Sequence, residues 1–259
     1  MNRPEDDKLL IDPDATAPGA KASNLAQRAA AGHSIARMSE SSALAPLQLE
    51  QRRLIHREDS VRKESDAFRE IRTRLLWLGG EHNFVTLVVP VSPRSGGSFV
   101  ARNLATAFAF DEAKTSLLID CNLRYPAQHK ALGVDVASGG LIDYLEHPAT
   151  GIQSVLYRTG IPRLRLIPTG NPRENGGEYF SSFRMRAVID SLRCRYLDRY
   201  LFLDGPAIKG SPDARILSDL VDFVVVVAGY GRDTPTAINH AVSNFDANKV
   251  AGVVFNHAP

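Results

Sequence analysis

The sequence is short of cysteine, of net charge and of long apolar runs, and each shortage closes off a class of protein. Two cysteines, Cys121 and Cys194, in 259 residues leave no CxxC pair for a metal or redox motif. They read as core thiols on two separate buried elements, suited to a reducing compartment. A formal net charge of +2 is too balanced for a nucleic-acid footprint. No apolar run approaches the ~20 residues that cross a bilayer, and the opening "MNRPEDDKLLIDPD" is acidic and lacks the apolar core of a signal peptide. A soluble protein is expected, with any membrane association supplied by a partner. What is present is ordinary globular composition, 44% hydrophobic and 23% charged, enough for one α/β domain and a tail.

Residues 1–45 are rich in Ala, Ser, Pro, Gly and charge and poor in aromatics. Such a segment buries too little apolar surface to offset its ordering entropy, so a disordered tail is expected. Residues 46–80 form an amphipathic helical segment. A short helix is expected within Ser41–Ile55, and a longer one from Ser60, its expected cap, to Leu78, with Val61, Phe68, Ile71, Leu75 and Leu78 at three- and four-residue steps. Residues 81–259 change pattern. Short β-branched runs at 84–91, 115–122, 164–170, 199–206, 223–230 and 250–256 alternate with helical stretches at 98–110, 141–146, 180–196, 212–220 and 234–247. Continuous apolar strands between helices predict a mostly parallel sheet covered on both faces, a three-layer α/β sandwich. Ligands of such sheets sit beyond the C-terminal strand ends.

The first strand ends in "SPRSGGS". Gly96 and Gly97 let backbone amides converge, and the next helix offers its positive end to an anion. A phosphate loop of the form G-x-x-x-x-G-K-[ST] is expected at this place. Aligned on the helix, Ser98 takes the magnesium-binding hydroxyl, Gly97 falls on the lysine, and Arg94 replaces a glycine. Read alone, the segment fits an ordinary Gly-rich turn equally well. Two further strands end in acids, "LLIDCN" with Asp120 and "YLFLDGP" with Asp204. A lone strand-end Asp is commonly a turn former; two beside a Gly-rich turn favour a phosphate–metal site.

From about Asp66 to Asn256 the chain resembles the cytoplasmic domain of bacterial tyrosine autokinases (BY-kinases) of capsule and exopolysaccharide synthesis, within the deviant P-loop ATPases that include the Min and Par proteins. The resemblance rests on "VARNLATAFA", on "LLIDCNLRYPAQHKALGV" with Arg124, Pro126 and His129, on "GLIDYLEH", on the long core from "LRLIPTG" to "FVVVVAGY", and on "VVFN". It implies a P-loop NTPase-like fold and ATP or ADP with Mg2+ as cofactors. It implies nucleotide contacts from Ser95, Gly96, Gly97, Ser98, Arg124 and, beside adenine, Asn256. Metal contacts fall to Ser98, Asp120 and Asp204, with Asp120 and Asp204 as the catalytic acids. Asp66, Arg69 and Arg72 resemble the motif through which family members pack into rings.

The chain departs from the family at Gly97 for the loop lysine, Arg94 for a loop glycine, Phe99 after the loop serine, Asn122 for a second aspartate, and "DGPA" after Asp204. Its last tyrosine is Tyr230, so the family's tyrosine cluster has no counterpart in these residues. Weak or absent nucleotide affinity is expected, partly restored by Gly97→Lys with Phe99→Thr. Arg94, Arg102 and Lys130 are the candidates for a substitute cation. Two readings stay open. One is a catalytically impaired subunit for regulation or assembly, forming homo-oligomers or rings with a homologous kinase and recruited to the cytoplasmic face of the inner membrane by a chain-length-determinant protein. The other is an active ATP-dependent autokinase with an atypical loop. A partition-type ATPase fits less well, because "LRYPAQHK" and the arginine helix resemble the polysaccharide branch.

Overall fold

The computed structural model describes residues 43–171 and 176–257; the expected tail up to residue 42 lies outside them. Seven strands form one sheet in the order β3-β4-β2-β5-β1-β6-β7. These are β1 Val85–Pro90, β2 Thr115–Asp120, β3 Tyr157–Arg158, β4 Leu164–Ile167, β5 Arg199–Asp204, β6 Phe223–Gly229 and β7 Val250–Asn256. All pairings are parallel except β3 with β4. The expected mostly parallel sheet is therefore present, with one antiparallel edge pair added. The two-residue β3 was too short to leave a periodic signal.

The central strands are apolar on both faces because both are covered. Leu87, Val89, Leu201 and Leu203 point into one core with Leu141, Ile142, Met185, Ile189 and Leu217. Val88, Phe202 and Leu118 point into the other, with Phe68, Leu75, Leu104 and Phe108. The second core is roofed by α2 Arg62–Gly79 and α3 Gly97–Ala109, the first mainly by α5 Leu141–Glu146, α7 Phe183–Cys194 and α8 Asp213–Ser218. A short helix, α1 Pro46–Gln51, precedes these; α4 Gln128–Leu132, α6 Gly176–Ser181 and α9 Pro235–Val242 complete the set.

Several local expectations are corrected. Ser60 does not cap α2: it lies in a 3-10 turn, Asp59–Val61, and its hydroxyl donates to Glu50 Oε1 at 2.6 Å, leaving Val61 as the N-cap. The expected continuous helix over 180–196 breaks at Ser182, whose hydroxyl accepts the Met185 N–H and caps α7. Cys121 is buried, whereas Cys194 is exposed at the end of α7. The chain also packs earlier than composition suggested. The Leu44 N–H donates to Gly160 O at 2.9 Å, Leu54 and Ile55 are buried in the second core, and the Ile55 N–H donates to Asn103 Oδ1 at 2.8 Å.

Candidate functional site

The turn from β1 into α3 is made by two left-handed residues, Arg94 at φ 70° and Gly96 at φ 94°. A β-carbon at Gly96 would strike the Asn256 side chain, so glycine is required there for contact as well as conformation. Asn256 Nδ2 donates to Ser95 O at 3.1 Å. The buried Ser95 hydroxyl donates to Asp233 Oδ2 at 2.6 Å, and the same oxygen accepts the Gly229 N–H at 2.8 Å. Burial works against the Asp233 carboxylate, but hydrogen bonds from Ser92, Ser95 and the Gly229 amide, with Arg232 nearby, hold it below its ordinary value. The ends of β6 and β7 thus clamp the loop from outside.

A cavity of about 670 Å3 opens at the N-terminal end of α3, lined by Gly96, Gly97, Ser98, Arg94, Arg124 and Lys209 among others. That volume lies within the range of small-molecule sites. It is not the largest concavity: a groove of about 860 Å3 runs along α2 and β7, away from the loop. Among the candidate nucleotide contacts, Gly96, Gly97, Ser98 and Arg124 stand on the cavity wall. Ser95 and Asn256 brace the loop instead.

Gly97 is fixed by a neighbour the sequence did not flag. A β-carbon there would lie 2.5 Å from Pro90 Cδ and 2.9 Å from its Cγ. A proline ring cannot rotate aside, so the family's lysine position is filled from the strand end.

Asp120 and Asp204 sit opposite one another on paired β2 and β5, both fully buried and neither on the cavity wall. Asp120 accepts three backbone N–H groups, from Asn122, Ala127 and Gln128 at 3.0–3.2 Å. Gln128 seals its partner: Nε2 donates to Asp204 Oδ2 at 2.6 Å and to Ser98 O at 2.9 Å. Burial raises both carboxyls, and the charge of Asp120 helps push Asp204 up to about 7, against hydrogen bonds from Gln128 and Ser98 and the charge of Arg102. Asn122 Oδ1 holds the Tyr125 N–H at 3.3 Å.

Magnesium takes a near-ideal octahedron of oxygens, usually several waters with one or two carboxylates and substrate phosphates. The implied carboxylates do not supply their share: Asp120 accepts three N–H groups, Asp204 Oδ2 accepts the Gln128 amide, and no acidic side chain lines the cavity among the described residues. Asp204 Oδ1 is buried without a partner, a single oxygen behind the wall. No cluster of three or more His, Cys, Asp or Glu occurs among the described residues.

Of the candidate substitute cations, only Arg94 reaches the wall. Arg102 turns back along α3, its Nη1 donating to Ser98 O at 3.3 Å and its guanidinium 5.4 Å over the Phe99 ring. Gln128, Asp233, Pro90 and Lys209 were missed. Asp233 had a signal, being a third acid shortly after a strand, in "GYGRD". Lys209 had none.

On the helical segment, Asp66 and Arg69 form an exposed pair at 2.9 Å, while Arg72 Nη1 donates to Ala107 O on α3.

A glycine-bearing turn between a central parallel strand and a covering helix, with acids ending neighbouring strands, defines the P-loop NTPase-like class. Solved structures agree on the fold. The kinase domain of Escherichia coli tyrosine kinase ETK superposes with a TM-score of 0.70 at 22% identity, over 83% of this chain and 87% of that one. A McdA–ATP complex from Cyanothece superposes with a TM-score of 0.51 over 68% of this chain and 70% of that one, at 19% identity. No protein-family profile matches the chain. By sequence, the tyrosine-protein kinase Wzc of Salmonella typhimurium is 32% identical over 194 residues, 74% of this chain and 26% of that protein. The putative tyrosine-protein kinase CapB of Staphylococcus aureus is 25% identical over 198 residues, 75% of this chain and 85% of that one. The chain belongs to the bacterial tyrosine-kinase family, and spans about a quarter of the length of the first curated relatives it matches.

Proposed function

We propose that this chain is a catalytically impaired family member, serving capsule or exopolysaccharide synthesis as a subunit for regulation or assembly. The observation that carries the reading is the Pro90 ring packed against Gly97, which leaves no room for the loop lysine. Phosphoryl transfer depends on positioning and on neutralising charge at the transferring phosphate. Loss of one preorganised electrostatic contact typically costs ~3 kcal/mol or ~10^2-fold in rate. The N–H donors on Asp120 and the Gln128 amide on Asp204 Oδ2 support the same conclusion.

The proposed role is a homo-oligomer, or a mixed ring with a homologous active kinase. A chain-length-determinant protein holds it at the cytoplasmic face of the inner membrane; no helix among the described residues is long and apolar enough to cross one. Arg94, which does reach the cavity, favours the second reading, an active autokinase with an atypical loop. Incubation with Mg-ATP and analysis by phosphotyrosine blot and mass spectrometry separates the two. No incorporation is expected, alone or with a chain-length-determinant protein; phosphotyrosine at any residue would establish the active reading.

A further inference from the structure

Far from the glycine-bearing loop, the N-terminal end of the sheet gathers four arginines on one face. Arg158 on β3 stands directly opposite Arg165 on β4, and like charges so placed repel. Arg165 lies level with Leu117 on β2 and, through it, with Leu201 on β5. Arg199 precedes Leu201 by two residues, so the period of a strand puts it on that same face. Arg195 follows α7, the helix that covers the face. Its guanidinium and that of Arg199 meet at Tyr196, 5.8 and 3.9 Å from the ring centroid. Burial holds the Arg199 guanidinium below its ordinary value, Tyr196 and Asp198 work against that, and the charges of Arg165 and Arg195 add to it. Asp198 offsets one of the four charges, with Oδ2 accepting the Thr115 hydroxyl at 3.0 Å, and leaves the cluster positive. Arg158 and Arg195 are exposed, and so is Leu197 between the arginines of this turn.

The chain itself carries a matching anion. Six acids precede residue 43, and five of them, Glu5, Asp6, Asp7, Asp12 and Asp14, fall within ten residues that also hold Leu9, Leu10 and Ile11. The described chain starts beside the cluster: the Leu44 N–H donates to Gly160 O at 2.9 Å, two residues from Arg158. The 30 residues from Asp14 to Leu44 can span up to about 100 Å, so reach does not limit the contact. We infer that residues 5–14 dock on this face, their carboxylates on Arg158, Arg165 and Arg195 and their aliphatic run against Leu197. The planar guanidinium fork takes a carboxylate bidentately. Docked there, the segment relieves the repulsion between Arg158 and Arg165 and covers a cationic surface that otherwise attracts other polyanions.

The test uses the full chain, isotopically labelled for amide NMR, with a nitroxide on Cys194, which is exposed next to Arg195 while Cys121 is buried. The amides of residues 5–14 are expected to be broadened by the nitroxide and to sharpen when it is reduced. Arg158→Gln with Arg195→Gln changes two exposed side chains and is expected to abolish the broadening. Neutralising the segment, by Glu5→Gln with Asp6, Asp7, Asp12 and Asp14 each changed to Asn, is expected to do the same. So is raising salt from about 0.1 M to about 1 M, which shortens the screening length from about 10 Å to about 3 Å. Exposed ion pairs contribute little to stability, so each variant is expected to keep the melting temperature of the parent, which separates a lost contact from unfolding.

Sharp amide signals from residues 5–14 in the nitroxide-bearing parent would overturn the inference. So would broadening that survives either set of substitutions or the high salt. A mixture of isotope-labelled chain without nitroxide and unlabelled chain carrying it gives the last arm. Broadening of the same strength in that mixture would place the segment on a second copy and overturn docking within one chain; none is expected.

Discussion

Single residues decide what the phosphate loop can do, and Pro90 decides most. Restoring the lysine alone meets the pyrrolidine ring 2.5 Å from the new β-carbon. Overpacking of this kind costs about 1–3 kcal/mol. Gly97→Lys is therefore expected to lower the melting temperature and leave Mg-ATP affinity unchanged by titration. This revises the expectation from the motif, where Gly97→Lys with Phe99→Thr should tighten binding. Phe99 also packs edge-on against Phe68, ring centroids 6.0 Å apart, so Thr there would remove a helix–helix contact. Pro90→Gly with Gly97→Lys should recover the lost stability; a Gly97→Lys protein as stable as the parent would refute the clash.

A second residue-scale prediction concerns pH. The folded Asp204 carboxyl titrates at about 7, against 3.8 ordinarily. The folded state therefore holds this proton where the unfolded state has released it, and stability must fall as pH rises from about 4 to about 7. Asp204→Asn should flatten the profile of melting temperature against pH over that window. Buried Asp120 shifts in the same direction, so a smaller slope should remain. An unchanged slope in the variant would remove Asp204 as its source.

At the scale of elements, the boundary of the fold lies earlier than composition suggests. Leu44 packs at Gly160, Arg52 Nη1 donates to Leu132 O at 2.5 Å, and Leu54 and Ile55 are buried. A chain beginning at residue 43 should keep the full thermal transition. One beginning near Ser60 should melt far lower, since truncating even one such buried aliphatic residue costs about 2–5 kcal/mol. Equal melting of the two forms would mean that residues 44–58 contribute nothing to the core. The strands and long helices were legible because buried parallel strands write continuous apolar runs, and α3 writes a helical repeat. The short helix expected within Ser41–Ile55 is present as α1, but the burial of Leu54 and Ile55 behind it was not legible, because a short arm between charged stretches has no period that says which face it buries. Half the site was legible as well. The glycines and the two strand-end acids carry local rules of spacing, whereas Gln128 sealing Asp204 and Pro90 filling the place of a lysine are consequences of tertiary proximity across 76 and 7 residues of chain.

The scale of the whole molecule is where the proposed role has to be tested, and the structure separates the three residues that the resemblance groups together. Asp66 and Arg69 are 53% and 67% exposed and form a surface pair, which is worth only about 0–1 kcal/mol. Arg72 holds the Ala107 carbonyl at the end of α3, so replacing it would mix a fold effect with an interface effect. Asp66 and Arg69 also line the groove of about 860 Å3 between α2 and the edge strand β7, where Trp77 is 77% exposed. A neighbouring subunit that presents a carboxylate would meet the Arg69 fork there. The Asp66→Ala, Arg69→Ala double variant is therefore expected to melt within about 2–4 °C of the parent, the shift of a change under about 1 kcal/mol in a chain this size. It should nonetheless lose oligomer mass in light scattering and lose capture by a chain-length-determinant membrane protein in a pull-down. Arg72→Ala is expected to lower stability first. If the double variant keeps both its mass and its capture, these two residues are a solvated helix face and the assembly role must rest on another surface.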